Sequence, residues 1–186
     1  MWDKIKATIV FVPTLIWNML LGRWLKVRNW WDRIDDTLIV GAMPFEKDVP
    51  KLAEAGVTCV VNTCAEYEGP QEAYEKYGIK QLHVPTVDFT HPSLENVQKA
   101  VDFIEQETAG GGTAYVHCKA GRARSATVAL CWLIRNLGLS PVEAQKLLLE
   151  KRPHINPRVY GRPVVKEFLK THSNGEKNAL ESNAPE

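Results

Sequence analysis

Thr113-Ala114-Tyr115-Val116-His117-Cys118-Lys119-Ala120-Gly121-Arg122-Ala123-Arg124-Ser125 is the stretch on which the fold turns. Its last nine residues carry the pattern H-C-x-x-G-x-x-R-S, whose five fixed letters arise by chance in a chain of this size about once in ten thousand. Thr113 to Val116 reads as a short strand, and the apolar-periodic run from Ala126 to Leu137 reads as a helix. A strand, a turn and a helix N-terminus therefore meet at Cys118. The first N–H groups of a helix lack intrahelical partners and the helix dipole adds positive charge there, so an anion is stabilised at that point. A cysteine in such a place ionises near neutral pH and becomes a nucleophile. The loop amides of Lys119, Ala120, Gly121, Arg122, Ala123 and Arg124 can surround a tetrahedral dianion, and the Arg124 guanidinium offers it two parallel N–H groups. The ligand expected is a phosphate monoester.

Working back along the chain, Thr37 to Ala42 reads as a strand, and Lys47 to Ala55 as a short helix leading through Gly56 to a strand at Val57 to Asn62. The strand–helix–strand order calls for parallel pairing. The turn Cys64-Ala65-Glu66-Tyr67-Glu68-Gly69-Pro70 follows the carboxyl end of that strand, where α/β sheets keep their ligand crevices. Glu66 and Glu68 belong beside a phosphate only if they meet hydroxyls or a cationic loop residue, and an ordinary solvated turn is the alternative. Gln71 to Tyr77 reads as a helix and Lys80 to Val87 as a strand delivering Asp88. Leu94 to Thr108 is an amphipathic helix. Beyond the loop, Ser140-Pro141-Val142-Glu143 is a capping box that starts a helix to about Lys151. A final helix is expected from Tyr160 to Lys170, and the polar tail after it lacks an apolar period and should be disordered.

The signature H-C-K-A-G-R-A-R-S resembles the catalytic loop of the cysteine-dependent protein tyrosine and dual-specificity phosphatases. The resemblance implies a three-layer α/β fold with a mostly parallel central sheet and helices on both faces. It also implies that Cys118 attacks phosphorus, Arg124 holds the equatorial oxygens and Ser125 stabilises the departing thiolate. Asp88 precedes Cys118 by thirty residues, the separation of general acid and nucleophile in dual-specificity phosphatases. The chemistry needs such a group, since an alkoxide leaves phosphorus poorly unless protonated, and a placed carboxylic acid contributes a factor of about 10² to 10⁴.

The charge balance, formally +1, predicts no general affinity for nucleic acid. Between Met1 and Arg33, however, six Lys/Arg face two Asp, and five of the six tryptophans (Trp2, Trp17, Trp24, Trp30, Trp31) lie there too. The apolar run Ile9 to Leu21, flanked by Lys4, Lys6, Arg23 and Lys26, is shorter than the about twenty residues of a membrane span and contains Pro13 and Asn18. It is expected to lie in the membrane interface as an anchor over residues 1–29, ahead of a catalytic domain over 30–171 and a tail over 172–186. A helix packed on the domain through the same residues is the alternative. No small-residue cleavage site suggests a secretory signal, and Asp3, the late first arginine Arg23 and the lack of serine before Ser93 do not describe a transit peptide.

The four cysteines form no C-x-x-C pair and have no histidines at zinc spacing, so no metal, cofactor or disulfide framework is expected. Cys131 reads as core; Cys59 or Cys64 could pair with an oxidised Cys118. The resemblance narrows along Val12-Pro13-Thr14-Leu15, Trp31-Asp32-Arg33-Ile34-Asp35, Gly41-Ala42-Met43-Pro44, Glu66-Tyr67-Glu68 and Thr86-Val87-Asp88. These are similar to the mitochondrial dual-specificity phosphatases acting on phosphatidylglycerophosphate, which implies a phospholipid substrate, a place at the matrix side of the inner membrane, and Tyr67 and Glu68 in the substrate pocket; a bacterial or other intracellular membrane is the alternative location, and a monomer is expected. In that group the acidic turn commonly reads E-E-Y-E, and Ala65 here replaces its first glutamate. Lys119 and Arg122 add positive charge suited to a substrate with a second phosphodiester. A protein tyrosine or phosphoinositide phosphatase would use the same residues, and a binding-only pseudophosphatase is the reading of another class.

Overall fold

The computed structural model describes residues 2–25 and 27–171, with side chains from residue 11 onward. The polar tail expected over 172–186 and the flanking charges Lys4, Lys6 and Lys26 lie outside the described side chains. The middle of the molecule is β5 (Thr113–His117), buried at every residue. It pairs in parallel with β2 (Leu38–Gly41) on one side and β3 (Val57–Cys64) on the other, and β4 (Lys80–Thr86) extends the sheet beyond β3, again in parallel. A three-residue β1 (Trp31–Arg33) closes the β2 edge antiparallel, giving the order β1-β2-β5-β3-β4. Strands covered on both faces can be apolar throughout, and the Leu38-Ile39-Val40 and Val60-Val61 runs fit that role.

Strand alternation divides two cores. Val116, Ala114, Val61 and Val40 point to the face covered by α4 (Leu94–Thr108), α5 (Arg124–Leu137), α6 (Pro141–Lys151) and α7 over 163–171, and pack with Ile104, Leu130, Leu133, Leu148 and Phe168. Tyr115, Val60 and Ile39 point to the other face and meet Leu52 of α2 (Val49–Glu54) and Tyr74 of α3 (Gln71–Lys76). Helices cover both faces of a mostly parallel sheet, as the resemblance implies. The side chains of α5 are buried from Arg124 to Ile134, because this helix is wedged between the sheet and its neighbours. The capping box forms as read: the Ser140 hydroxyl accepts from the Glu143 amide at 3.3 Å, and the Glu143 carboxylate accepts from the Ser140 amide at 2.9 Å.

The N-terminal helix α1 (Trp2–Met19) runs through Pro13 and ends in a wider π-type turn at Leu20–Trp24. Among the described residues no helix is long and apolar enough to cross a membrane. Arg23 ties the segment down: its guanidinium pairs with buried Asp48 and lies 4.2 Å over the Trp30 ring. Two elements differ from expectation. β1 carries too few residues to show an alternation, and the final helix starts at 163 after a 3₁₀ turn at Val159–Gly161. Pro163 explains the shift, since proline is favoured at the first helical position, where no N–H is required.

Parallel strands bring their carboxyl ends to one edge of the sheet, and there the loops after β2, β3, β4 and β5 converge. The stability of that edge depends on α5. Leu133→Ala should lower the unfolding free energy by about 2–5 kcal/mol, the usual range for emptying a fully buried leucine site, measured as a shift in urea midpoint at constant slope.

Candidate active site

β5 ends at His117, and the chain turns through residues 118–123 before α5 begins at Arg124. Cys118 is 4 % exposed. Burial pushes its thiol up, but the Arg124 charge, the Ser125 hydroxyl at 3.4 Å and the amides of Ser125 and Arg122 outweigh it, leaving a value of about 6. The other cysteines go the opposite way. Burial holds Cys59 and Cys131 at about 12 and raises Cys64 well above the ordinary range. Of the four buried free thiols, Cys118 is the one set up as a thiolate. His117 before it is fully buried and stacked on Tyr115 at 5.7 Å, and burial pushes its imidazole down to about 3, so it stays neutral.

The orientation of the loop is set from outside by two arginines that the sequence did not announce. In a trans peptide the C=O and the following N–H point in opposite directions. Arg152, 1 % exposed, donates from Nε to the Gly121 carbonyl at 2.9 Å and from Nη2 to the Ala120 carbonyl at 3.3 Å, while pairing with Asp32. Holding the Gly121 carbonyl outward turns the Arg122 N–H inward, onto the Cys118 sulfur. Arg162 does the same at the next turn, donating to the Ala123 carbonyl at 3.0 Å and to Thr127 Oγ1 at 2.5 Å. Gly121 has φ +64°, and a Cβ there would strike the Gly41 carbonyl and the Arg152 guanidinium. Buried arginines are rare unless paired, but nothing in K-R-P-H or G-R-P marks them in the chain as loop supports.

Arg124 lies beneath the loop, with its side chain 2 % exposed. Burial disfavours its charge, and the surrounding anions, Cys118 first among them, raise it again, so the guanidinium is permanently charged. Nη1 donates to Glu66 Oε2 at 2.8 Å and to the Thr86 carbonyl at 2.7 Å. Nη2 lies 3.0 Å from Asp88 Oδ1 without hydrogen-bond alignment, which keeps it available to a better-aligned oxygen. Glu66 spends its other oxygen on the Asp88 backbone N–H at 2.7 Å. One carboxylate thus fixes both the guanidinium and the loop that carries Asp88. The Asp88 carboxylate is completed by the Phe89 amide at 3.1 Å and by an ion pair with Lys119.

The structure brings Cys118, Ser125, Arg124, Lys119 and Asp88 together, and it adds Glu66. The acidic turn does meet a cationic loop residue, but through Glu66 alone: Glu68 is exposed, with its carbonyl accepting from Gln71 and Gln81 at 2.8 Å each. Tyr67 donates its hydroxyl to the Pro44 carbonyl at 2.6 Å and sets its ring edge-on to His117, supporting the loop from below. The Arg122 guanidinium points away, donating to the His154 carbonyl at 2.8 Å. Among the described residues no group of three or more His, Cys, Asp or Glu is placed to hold a metal ion. The arrangement suits displacement at a tetrahedral phosphorus: a thiolate, inward amides, a guanidinium and a carboxyl group beside it.

Comparison with known proteins agrees with this geometry. Residues 38–167 match the family model described as dual specificity phosphatase, catalytic domain. The chain is 39 % identical over 168 residues to the phosphatidylglycerophosphate phosphatase PTPMT2 of Arabidopsis thaliana, covering 89 % of this chain and 74 % of that protein. It is 38 % identical over 173 residues to the phosphatidylglycerophosphatase and protein-tyrosine phosphatase 1 of Mus musculus, covering 88 % and 90 %. The crystal structure of PTPMT1 in complex with PI(5)P superposes with a TM-score of 0.73 at 36 % identity, over 80 % of this chain and 99 % of that one.

Thiol reactivity checks the electrostatics. Alkylation of Cys118 by iodoacetamide should rise with pH as the thiolate forms and reach half its plateau rate near pH 6. Ser125→Ala removes a hydrogen bond donated to the thiolate and should move that midpoint to higher pH; an unchanged midpoint would deny the hydroxyl its role.

Proposed function

Because the chain belongs to the dual specificity phosphatase family, we propose that it removes the phosphate monoester of phosphatidylglycerophosphate, releasing phosphatidylglycerol on the way to cardiolipin. The chain is a phosphoric monoester hydrolase, and its residues take the following roles. The Cys118 thiolate attacks phosphorus in line with the leaving oxygen. The loop amides and Arg124 bind the three equatorial oxygens, with Nη2 turning from Asp88 to the phosphate. The substrate arrives as the phosphate monoanion and gives its proton to the Asp88 carboxylate as Nη2 leaves it; as the P–O bond breaks, Asp88 hands that proton to the departing alkoxide, leaving phosphocysteine. The Asp88 carboxylate then takes a proton from water, whose oxygen attacks phosphorus; the P–S bond breaks, inorganic phosphate forms, and the Ser125 hydroxyl stabilises the returning thiolate.

The observation that carries the substrate assignment is the likeness, near 38–39 % over most of the chain, to relatives named for phosphatidylglycerophosphate. A second support is the surface beside the site. Val12, Ile16 and Trp17 on one face of α1 are 57–61 % exposed, and Phe89, next to Asp88, is 73 % exposed. Apolar side chains there suit contact with a bilayer that presents the phosphate at headgroup level. In this reading residues 1–29 touch the membrane, residues 30–171 carry the chemistry, and the chain acts as a monomer. The inner mitochondrial membrane, matrix side, is assigned by resemblance. A phosphoinositide monophosphate is the second reading, favoured by the PI(5)P complex of PTPMT1.

Initial rates on phosphatidylglycerophosphate, a phosphoinositide and a phosphotyrosine peptide decide among these, with the first expected to be fastest; a preference for the peptide would overturn the assignment. Cys118→Ser should abolish turnover on all three. Ile16→Ser combined with Trp17→Ser should reduce co-sedimentation with vesicles containing anionic phospholipid, and undiminished co-sedimentation would remove α1 as the membrane contact.

A further inference from the structure

We propose that Thr14 and Asn18 of α1 are positioning residues for the phosphatase reaction: they hold Lys119 against Asp88, making the N-terminal helix a working wall of the active site. The inference rests on the assignment of Asp88 as proton donor and adds the group that keeps it in place.

Lys119 follows the nucleophile directly, yet its side chain is only 7 % exposed. A buried ammonium carries three donors and is strongly destabilised unless each finds an acceptor or an electron-rich face. Its surroundings are specific. The ammonium pairs with the Asp88 carboxylate, donates to Thr14 Oγ1 at 2.7 Å, and lies 5.1 Å from the Phe11 ring centroid and 5.5 Å from that of Phe89. Half of this shell comes from α1. The Thr14 hydroxyl gives its own proton to the Phe11 carbonyl at 3.2 Å, one turn back, so an oxygen lone pair is left facing the ammonium. One further turn along, Asn18 Nδ2 donates to the Lys119 carbonyl at 3.3 Å, an oxygen that also accepts from the Met43 amide at 3.3 Å. Phe11, Thr14 and Asn18 recur at helical spacing on the inner stripe, opposite the exposed Val12, Ile16 and Trp17. The helix therefore grips Lys119 at both its charge and its backbone.

The consequence reaches Asp88. Its loop contains Phe89 at φ +65°, a conformation side-chain-bearing residues seldom adopt and one that needs support from neighbours. Glu66 holds the loop from the Arg124 side and Lys119 holds the carboxylate from the α1 side. If the Thr14 acceptor is removed, the ammonium turns toward solvent for a partner and the ion pair is screened. A donor displaced by even an ångström transfers its proton poorly, and the loss falls on substrates whose leaving group needs that proton.

The test uses the full chain in solution, without membranes, on an alkyl phosphate and on p-nitrophenyl phosphate. Thr14→Val should lower kcat on the alkyl phosphate about fivefold or more, with KM within about twofold and a smaller loss on the aryl ester. Thr14→Ser keeps both hydrogen bonds and should restore the alkyl rate. Asn18→Ala should lose in the same sense. Wild-type rates for Thr14→Val, or an equal loss on both esters, overturn the proposal. Should Thr14→Val fail to fold by circular dichroism, Asn18→Ala carries the same test, and wild-type rates or an equal loss on both esters overturn the proposal there too. Asp88→Asn is run alongside: if it shows the leaving-group dependence and Thr14→Val does not, the positioning role alone falls, and if Asp88→Asn shows none, the proton-donor assignment falls with it.

Discussion

The site is built around the requirement that a sulfur anion exist inside a loop that is almost closed to water. Burial opposes the charge, and the only remedies are donors and cations aimed at the same atom. Each remedy creates a further demand. Inward amides require outward carbonyls, which need their own donors, and Arg152 and Arg162 supply them. A buried guanidinium under the loop needs an anion beside it, and Glu66 supplies that. The result is a series of paired groups running outward from Cys118, with Arg124 Nη2 left without an aligned acceptor.

The same logic accounts for the acid loop. Asp88 stands between two cations, Arg124 and Lys119, and both are groups a phosphate dianion would also seek. In the proposed reaction, substrate binding and proton donation are linked through shared partners: an arriving phosphate competes for Nη2, whose contact with Asp88 is an unaligned one. Nη1 stays committed to Glu66 and the Thr86 carbonyl, so the arginine keeps its orientation while half of its fork changes hands.

Much of this was readable in advance where one segment contains the whole signal. The span Leu94–Thr108 was legible to its ends, because its apolar stripe repeats along the whole segment, and Ser93 just before it accepts from the Asn96 amide. The Ser140–Glu143 cap was legible for the same reason. The edge strand Trp31–Arg33 was not, since its strand character comes from pairing with Ile39 to Gly41 and not from its own three residues. In the acidic turn a role beside a cationic loop residue and an ordinary solvated turn stood as alternatives, with Tyr67 and Glu68 expected in the pocket; which of two carboxylates two residues apart faces Arg124 depends on how the turn leaves β3.

Sequence by itself determined where the signature loop lies, with Cys118, Arg124 and Ser125 in it, and the family to which it belongs, because these lie within nine consecutive residues whose order imposes strand, turn and helix. Spacing and resemblance together added Asp88. Tertiary structure decided the rest: that Glu66 bridges Arg124 to the acid loop, that Arg152 and Arg162 turn the loop amides inward, and that Thr14 meets Lys119 across 105 residues. The physical reason is that such partners are selected by the shared carboxyl edge of parallel strands and by helices folding back over it. No local pattern records which distant donor will be there to satisfy a buried carbonyl or ammonium.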